Sequence, residues 1–276
     1  MACDDYRQPP RMITPGPRLG PGRQPISEMK NIAHKLRVID NRALTAKTRL
    51  MVLGGAEGVI TAPGQFVNLA VEGKFLRRPI SVCGVDGDRI SLLYDVVGEG
   101  TAEMARWQPG YEADVLAPLG NGFDISRCGD APLLLGGGIG IAPLYQLARD
   151  LIAAGVKPTV ILGFNSAADA AWVEEFRLTG ADVYVATVDG SMGTKGFVTD
   201  VPECRDPRHG YFYACGPLPM LRALCSALPI PGELSLEARM ACGFGVCMCC
   251  SLETVDGAKR ICKDGPVFRK EELIWK

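Results

Sequence analysis

Five of the eleven cysteines in this 276-residue chain lie close together near its carboxyl end, in the segment RMACGFGVCMCCSLETVDGAKRICKDGPVF. Four of them follow the pattern C-x4-C-x2-C…C, the spacing with which four thiolates hold the two irons of a plant-type [2Fe–2S] cluster. These four are Cys242, Cys247, Cys250 and Cys262. Because such a cluster accepts electrons singly, the pattern predicts one-electron transfer.

The residues alone leave two points open at these cysteines. A structural zinc site is an alternative, although zinc sites usually combine two C-x2-C arms and only Cys247 and Cys250 form such an arm. The third ligand is also open, because Cys249 stands beside Cys250; the spacing favours Cys250 and leaves Cys249 without a role. Asp256-Gly257 is a tight-turn pair, so we expect a hairpin to bring Cys262 back toward the loop.

A glycine-rich turn, Gly136-Gly137-Gly138-Ile139-Gly140, lies between a predicted strand and an amphipathic helix. Bare backbone at such a turn lets a dinucleotide phosphate approach the helix N-terminus. The run departs from G-x-G-x-x-G because Ala142-Pro143 follows, so a packing turn is the alternative. Cys215-Gly216 ends a later predicted strand, at the edge where open α/β sheets bind ligands.

Two further motifs lie upstream, and each is weak by itself. Arg78-Pro79-Ile80-Ser81 follows a strand-like segment, where a guanidinium could reach a diphosphate and a hydroxyl could reach a ring. Gly98-Glu99-Gly100-Thr101 precedes a helix-like segment, where small residues can form a phosphate cradle from free amides. A strand edge and an ordinary helix cap are the alternatives.

The elements that must position these motifs fall into two patterns. From about residue 30 to 125, short β-type segments alternate with Gly, Asp and Pro, which is typical of an antiparallel barrel. From about 131 to 230, strands alternate with helices, which favours a parallel sheet wrapped by helices. The tail after Pro231 has little regular structure in its pattern.

The composition excludes several classes of function. Hydrophobic residues make up 47% of the chain and charged residues 22%, with a formal net charge of −1. No basic field would attract nucleic acid or anionic lipid, so neither a nucleic-acid partner nor a membrane partner is expected. The first 29 residues lack the apolar core of a secretory signal, and Met29 could be the true start. We therefore expect a cytoplasmic protein with reduced cysteines.

Taken in order, these motifs resemble those of the ferredoxin–NADP reductase superfamily. More narrowly, they resemble the electron-transfer subunits of dihydroorotate dehydrogenase B. The closer likeness is carried by Leu76-Arg77-Arg78-Pro79-Ile80-Ser81, by Arg239-Met240-Ala241-Cys242-Gly243 and by Cys262-Lys263-Asp264-Gly265-Pro266-Val267-Phe268, and it spans residues 32 to 270. The resemblance implies an FAD-binding antiparallel β-barrel, then a parallel α/β NAD-binding domain, then a small [2Fe–2S] module. The expected bounds are 30–127, 128–230 and 231–276, after a disordered extension over 1–29.

The resemblance also implies which residues hold the cofactors. FAD is assigned to Arg78, Pro79, Ile80, Ser81, Leu93, Tyr94, Asp95, Gly100 and Thr101. NAD is assigned to Gly137, Gly138, Gly140, Pro143, Cys215 and Gly216. The cluster ligands are Cys242, Cys247, Cys250 and Cys262. No acid–base catalytic residue is expected, because the chemistry belongs to the cofactors.

The activity implied by the resemblance is that of an NAD-linked flavin and iron–sulfur oxidoreductase subunit. An FMN-containing partner subunit would oxidise dihydroorotate in de novo pyrimidine biosynthesis, in a heterotetramer with two copies of each subunit. Electrons would then pass from FMN through [2Fe–2S] and FAD to NAD⁺. NAD is favoured over NADP because no arginine follows the second strand of the α/β region, which ends in Gly163-Phe164-Asn165-Ser166.

Two other functions remain as alternatives. One is a related enzyme subunit, either an NAD(P)H–ferredoxin reductase or the diaphorase of a hydrogenase- or sulfide-type complex. The other is not an enzyme: a zinc-stabilised or redox-sensing binding module, which would lack NADH:dye reductase activity.

Overall fold

We describe a computed structural model of the chain, which covers residues 32–275. The expected disordered extension over residues 1–29 lies outside the described residues. The strands are β1 Ala33–Ala43, β2 Thr48–Gly54, β3 Phe66–Leu69, β4 Arg78–Asp86, β5 Arg89–Asp95, β6 Glu112–Leu119, β7 Leu133–Gly137, β8 Thr159–Phe164, β9 Asp182–Thr187, β10 Thr194–Lys195, β11 Phe212–Cys215, β12 Gly232–Ser235, β13 Ser251–Thr254, β14 Gly257–Arg260 and β15 Val267–Arg269. The helices are α1 Glu99–Met104, α2 Ala142–Ala153, α3 Val173–Leu178, α4 Leu218–Ala227 and α5 Ile261–Asp264.

The first six strands close into an antiparallel barrel in the order β1-β2-β5-β4-β3-β6. Along β6, every second residue is buried, which is the alternation that a barrel wall with one core-facing side requires. The barrel has its own apolar core, which includes the fully buried Leu36, Leu53 and Leu92. The predicted antiparallel barrel is therefore confirmed.

The second half of the chain forms a seven-stranded sheet in the order β10-β9-β8-β7-β11-β12-β15. All neighbouring pairs are parallel except β12 and β15, which run antiparallel at one edge. Every residue of β7 and of β11 is buried, as expected for parallel strands covered on both faces. The predicted parallel α/β arrangement is confirmed.

The tail has more regular structure than its pattern suggested. β12 and β15 both come from the stretch expected to form a separate cluster module, yet both pair into the large sheet. Only β13 and β14 stand apart, as a two-stranded hairpin. The expected bounds 30–127, 128–230 and 231–276 remain a prediction, and the pairing shows that the tail is bonded to the sheet.

Helix α2 fixes the barrel against the sheet. The Gln146 side chain accepts a hydrogen bond from the backbone N–H of Val85 on β4, with 2.8 Å between Oε1 and N. Arg149, one turn further along α2, donates to the Val85 carbonyl at 2.9 Å. Helix α2 of the α/β region thus satisfies both the backbone N–H and the backbone carbonyl of Val85. These two bonds set the distance between the barrel and the sheet.

A second junction joins the start of the α/β region to β12. Glu233 is only 5% exposed, and its carboxylate accepts a hydrogen bond of 2.9 Å from the backbone N–H of Asp124. The hydroxyl of Tyr213 donates to the Asp124 carbonyl at 2.8 Å. Burial raises the pKa of Glu233 from 4.5 to about 7, and the Asp124 charge adds to the increase, while the Asp124 N–H, Arg127 and Arg269 oppose it.

This junction predicts a pH-dependent stability. Between pH 4.5 and about 7 the native chain keeps a proton on Glu233 that the unfolded chain releases, so stability falls as pH rises through this window. Glu233→Gln cannot ionise, so we expect its free energy of unfolding, relative to the parent, to rise by about 1–3 kcal/mol between pH 5 and pH 8. Urea unfolding at the two pH values measures this, with exposed Glu57→Gln as the control; an equal difference at both pH values would contradict it.

Candidate functional site

Eight of the nine residues predicted to bind flavin line one cavity of about 360 Å³ between the barrel and the sheet. Because β4 and β5 are antiparallel neighbours, the start of β4 and the end of β5 lie at the same end of the barrel. This brings together Arg78, Pro79, Ile80, Ser81, Leu93, Tyr94, Asp95 and Thr101. Gly100 does not line the cavity; it lies directly behind Arg78.

The contact between Gly100 and Arg78 explains why a glycine stands at this position. A Cβ on Gly100 would overlap the Arg78 guanidinium, so any other residue would displace that side chain. The loop before α1 is held by the Thr101 hydroxyl, which accepts hydrogen bonds from the N–H groups of Val97 and Gly98 at 2.9 and 3.2 Å. A guanidinium held against bare backbone at a cavity wall suits the diphosphate of a flavin dinucleotide.

A larger cavity of about 710 Å³ opens at the carboxyl ends of β7, β8 and β11. Four of the residues predicted to bind nucleotide line it: Gly137, Gly138, Gly140 and Gly216. The other two, Pro143 and Cys215, line the smaller cavity instead, which we call the flavin cavity after the prediction for its lining residues. The sequence could not show which of the two cavities each residue faces, because both cavities border the same turn.

The glycines of this turn have different roles. Gly138 adopts a φ of +55° and a Cβ there would meet nothing within 4 Å, so its backbone is open to a ligand. At Gly140, a Cβ would overlap the backbone carbonyl of Cys215, so glycine is needed there for close packing between the turn and β11. Gly140 therefore fits the interpretation as a packing turn, and the open backbone at Gly138 is compatible with phosphate binding, which stays a prediction.

The two cavities adjoin. Asp95, Ile139, Gly140 and Glu237 line both of them, so ligands in the two cavities would lie side by side. Glu237 keeps part of its surface exposed to solvent, and partial burial of its carboxyl group raises the pKa of that group. An arrangement of this kind permits direct transfer of a hydride or an electron between two bound groups.

Several lining residues carried no recognisable sequence signal. Phe197 and Glu237 line the larger cavity from segments without a motif. Lys47, from the turn between β1 and β2, lies between two carboxylates, with its Nζ 3.6 Å from an oxygen of Asp95 and 3.6 Å from one of Asp169. These residues are distant in sequence from the glycine turn, and only the tertiary structure brings them together.

The cysteine loop folds around its first thiol. Gly243 and Gly245 adopt φ values of +78° and +90°, which turn backbone amides toward sulfur. The Val246 N–H donates to Cys242 Sγ at 3.3 Å. Burial by itself would raise the pKa of the Cys242 thiol, but backbone donors from Cys247, Phe244 and Val246 outweigh it and lower the pKa to about 6. The loop thus favours a thiolate, the form that binds a metal.

The four predicted ligands approach one another as two pairs. Cys242 contacts Cys247 through a side-chain hydrogen bond, and Cys262 contacts Cys250, whose Sγ accepts the Cys262 N–H at 3.4 Å. Burial and the neighbouring Cys250 raise the pKa of Cys262 to about 12. Over residues 32–275, no three His, Cys, Asp or Glu side chains are grouped so as to hold a single metal ion. Two pairs of thiols fit a cluster with two irons, each with two protein ligands.

The fifth cysteine lies outside these pairs. Cys249 is exposed, and its Sγ is 3.7 Å from the Arg239 carbonyl. Cys250 is buried beside Cys262, which supports the choice of Cys250 as the third ligand.

The predicted hairpin carries Cys262 to the loop, with a turn one residue earlier than expected. Thr254 pairs with Gly257, so Val255 and Asp256 form the turn, and Gly257 follows with a φ of +98°. At the far end, Ile261 donates its N–H to the Cys250 carbonyl at 3.0 Å, and the Arg260 guanidinium donates to the Gly245 carbonyl at 2.7 Å. The hairpin is therefore bonded to the middle and to the carboxyl end of the cysteine loop.

Comparison with known proteins gives consistent results. Residues 237–274 match the profile of the iron–sulfur cluster binding domain of dihydroorotate dehydrogenase B. The chain is 44% identical over 253 residues to the dihydroorotate dehydrogenase B (NAD(+)) electron transfer subunit of Bacillus caldolyticus, covering 87% of this chain and 98% of that protein. It is 45% identical over 224 residues to the protein of the same description from Fusobacterium nucleatum, covering 76% and 86%.

Solved structures share the fold. An NADH-dependent reduced ferredoxin-NADP oxidoreductase structure, described in work on flavin-based electron bifurcation, superposes with a TM-score of 0.79 at 30% identity, covering 87% of this chain and 90% of that one. Phthalate dioxygenase reductase superposes with a TM-score of 0.59 at 22% identity, over 71% and 64% of the two chains, which is a likeness of fold. In the described part of the chain, no helix has the length and apolar character needed to cross a membrane.

The packing of Gly100 predicts a selective loss of flavin. Gly100→Ala should displace the Arg78 guanidinium and weaken FAD binding on the order of tenfold, or about 1.4 kcal/mol. Gly98→Ala is the matched control, because a Cβ at Gly98 would meet nothing within 4 Å. The FAD content of the purified variants, and fluorescence titration of the flavin-free forms, measure the effect. Equal FAD retention in both variants would show that Arg78 is not held for a flavin.

The two thiol pairs predict which cysteine matters for iron. Cys250→Ser should abolish stable iron binding, since it removes one thiolate of the buried pair. Cys249→Ser should retain the iron and the visible spectrum of the parent. Iron and acid-labile sulfide assays on the two variants distinguish them, and the opposite outcome would make Cys249 the ligand.

Proposed function

Because the chain belongs to the family of dihydroorotate dehydrogenase B (NAD(+)) electron transfer subunits, we propose that it connects an FMN-containing dihydroorotate dehydrogenase subunit to NAD⁺. Its place would be in de novo pyrimidine biosynthesis, where the partner subunit oxidises dihydroorotate to orotate. When bound, nicotinamide exchanges a hydride, the iron–sulfur cluster exchanges single electrons, and FAD does both. The chain supplies the binding sites that hold these groups in order.

One observation carries this proposal: the cavity predicted for flavin borders both of the other predicted sites. It shares Asp95, Ile139, Gly140 and Glu237 with the larger cavity. Its wall also includes Met240, two residues before the first cluster cysteine. A flavin held there would border both a nicotinamide and the cluster segment, as a converter between two-electron and one-electron carriers must.

We assign residue roles within that order. Arg78 would hold the flavin diphosphate, with Gly100 leaving room for its guanidinium, and Ser81 and Tyr94 would border the bound ring system. Gly138 would admit the dinucleotide phosphates to the larger cavity. Phe66 and Leu236 line the flavin cavity with apolar surface, which would exclude water from the bound ring.

The proposed partner would contact the cysteine loop. Phe244, Val246 and Met248 of this loop are 41%, 73% and 51% exposed. Apolar side chains grouped around a cluster form a surface that suits a protein partner. Such a contact would bring the partner's flavin toward Cys242 and Cys247, the less buried of the two thiol pairs. Two copies of each subunit in the assembly remain our proposal.

We further propose that the nucleotide is NAD rather than NADP. Among the described residues that line the larger cavity, Lys47 is the single cation and Asp95, Asp169 and Glu237 are acidic. The extra phosphate of NADP would meet these carboxylates without an arginine to bind it. A cytoplasmic location is also part of the proposal, because all ten cysteines in the described part of the chain are free thiols and the cluster requires reduced ones.

A second candidate function is a ferredoxin-type reductase, favoured by the 30% identity to the NADH-dependent reduced ferredoxin-NADP oxidoreductase structure. The proposed partner distinguishes the two functions, since a reductase of that type would not require a dihydroorotate-oxidising subunit. A zinc-stabilised binding module is disfavoured by the match of residues 237–274 to an iron–sulfur domain.

Co-expression with an FMN-binding dihydroorotate dehydrogenase subunit tests the proposal. The complex should contain FMN, FAD and about two irons per copy of this chain, and it should reduce NAD⁺ with dihydroorotate. The chain alone should retain FAD and NADH:dye reductase activity. An iron-free, zinc-loaded chain, or a chain with both cofactors that neither binds the partner subunit nor accepts electrons from it, would refute the proposed function.

A further inference from the structure

One buried polar atom is left unexplained by the sites described so far. In the described part of the chain, Asn68 Oδ1 is one of three buried side-chain oxygen or nitrogen atoms without a hydrogen-bond partner. The residue is 1% exposed and lies on β3 of the barrel. Buried carboxamides in proteins are normally satisfied, so a half-satisfied one calls for a reason.

Asn68 connects the two candidate cofactor sites. Through its backbone it pairs with Pro79 on β4, one of the residues that line the flavin cavity. Through its side chain it donates from Nδ2 to the backbone carbonyl of Cys242, at 3.3 Å. Because a carbonyl can only accept, this bond fixes the orientation of the carboxamide and leaves Oδ1 as the bare atom. One residue thus touches both the flavin strand and the first cluster cysteine.

The surroundings hold this side chain in one position. Gly243 adopts a φ of +78°, and a Cβ there would overlap the Asn68 amide nitrogen, so the carboxamide fills the space that this glycine leaves. The backbone carbonyl of Asn68 accepts a hydrogen bond from the Arg77 guanidinium at 3.3 Å. Arg77 also forms an ion pair with Asp114, with 2.7 Å between nitrogen and oxygen. The strand that carries Asn68 to the cysteine loop is therefore itself held in place by Arg77.

We propose that Asn68 is a positioning residue for electron transfer between the flavin and the cluster, an inference that rests on the proposed function. Its side chain would fix the Cys242 end of the cysteine loop relative to the strand that borders the flavin. Each passage moves one electron between the two groups and makes or breaks no covalent bond, so its rate depends on their separation and potentials.

A packing role alone does not account for the choice of asparagine. An apolar side chain of the same size would fill the space beside Gly243 without leaving a buried oxygen unpaired. The polar group becomes useful when the Cys242 carbonyl must be held, since groups around metal ligands orient those ligands and tune the metal.

Asn68→Leu in the full chain, purified with its partner subunit, tests the proposal. We expect unchanged FAD content and unchanged reduction of FAD by NADH. Subsequent reduction of the cluster, followed by stopped-flow absorbance, should slow by about 10- to 100-fold. The electron paramagnetic resonance lines of the reduced cluster should shift. Loss of iron with retention of FAD would instead show that Asn68 holds the loop for cluster binding, and would overturn a role in positioning the assembled cluster.

Asn68→Asp provides an independent reading if the leucine variant does not fold. The carboxylate keeps the shape, removes the donor to Cys242 and adds negative charge, so the midpoint potential of the cluster should fall. Asn41→Leu is the matched control for the cluster measurements, because all of its bonds lie in the barrel and none reaches the cysteine loop: the carboxamide donates to the carbonyls of Met104 and Trp107 and accepts from the Tyr94 hydroxyl.

The outcomes separate this inference from the proposed function. A parent protein without FAD or iron would refute the proposed function before any variant is compared. A parent with both groups, and Asn68 variants whose cluster spectrum, potential and reduction rate match those of the parent or of Asn41→Leu, would overturn the role of Asn68 alone.

Discussion

The arrangement of the whole molecule depends on hydrogen bonds between α2 and the backbone of β4. The barrel has an apolar core of its own, and a second apolar cluster spans the junction, with Leu93 of the barrel and Leu144 of α2 among its members. Apolar packing is not directional, so burial alone would leave the register of the two units loosely defined. Gln146 and Arg149 bind the N–H and the carbonyl of Val85, two groups with fixed positions on the barrel wall. Both cavities lie along this junction, and their shared lining depends on it.

Much of this architecture could be predicted from local patterns. Alternating burial along β6 and the continuous apolar runs of β7 and β11 are visible in the sequence, because each pattern reflects which faces of a strand are covered. The cysteine spacing likewise predicts a cluster, since loop geometry around a cluster is a local property.

Other features arise from contacts that no local pattern encodes. Lys47 and Asn68 belong to the barrel, yet Lys47 lines the larger cavity and Asn68 bonds to the cysteine loop. Pro143 and Cys215 belong to nucleotide-type motifs but line the flavin cavity, because the turn that carries them separates two adjoining spaces. The strands β12 and β15 are short, and only their pairing partners identify them as part of the sheet.

The two thiol pairs differ in burial, and this difference affects how well a bound cluster would resist oxidation in air. Cys250 and Cys262 are buried, whereas Cys247 is exposed on the loop that carries Phe244 and Val246. Exposed thiolates are the first to be oxidised, so in the isolated chain the accessible half of a cluster would be the point of attack by oxygen. Under the proposed function, the contact that admits electrons would also shield these sulfurs. Resistance to oxidation would then belong to the complex, and comparing iron loss in air with and without the partner would measure it.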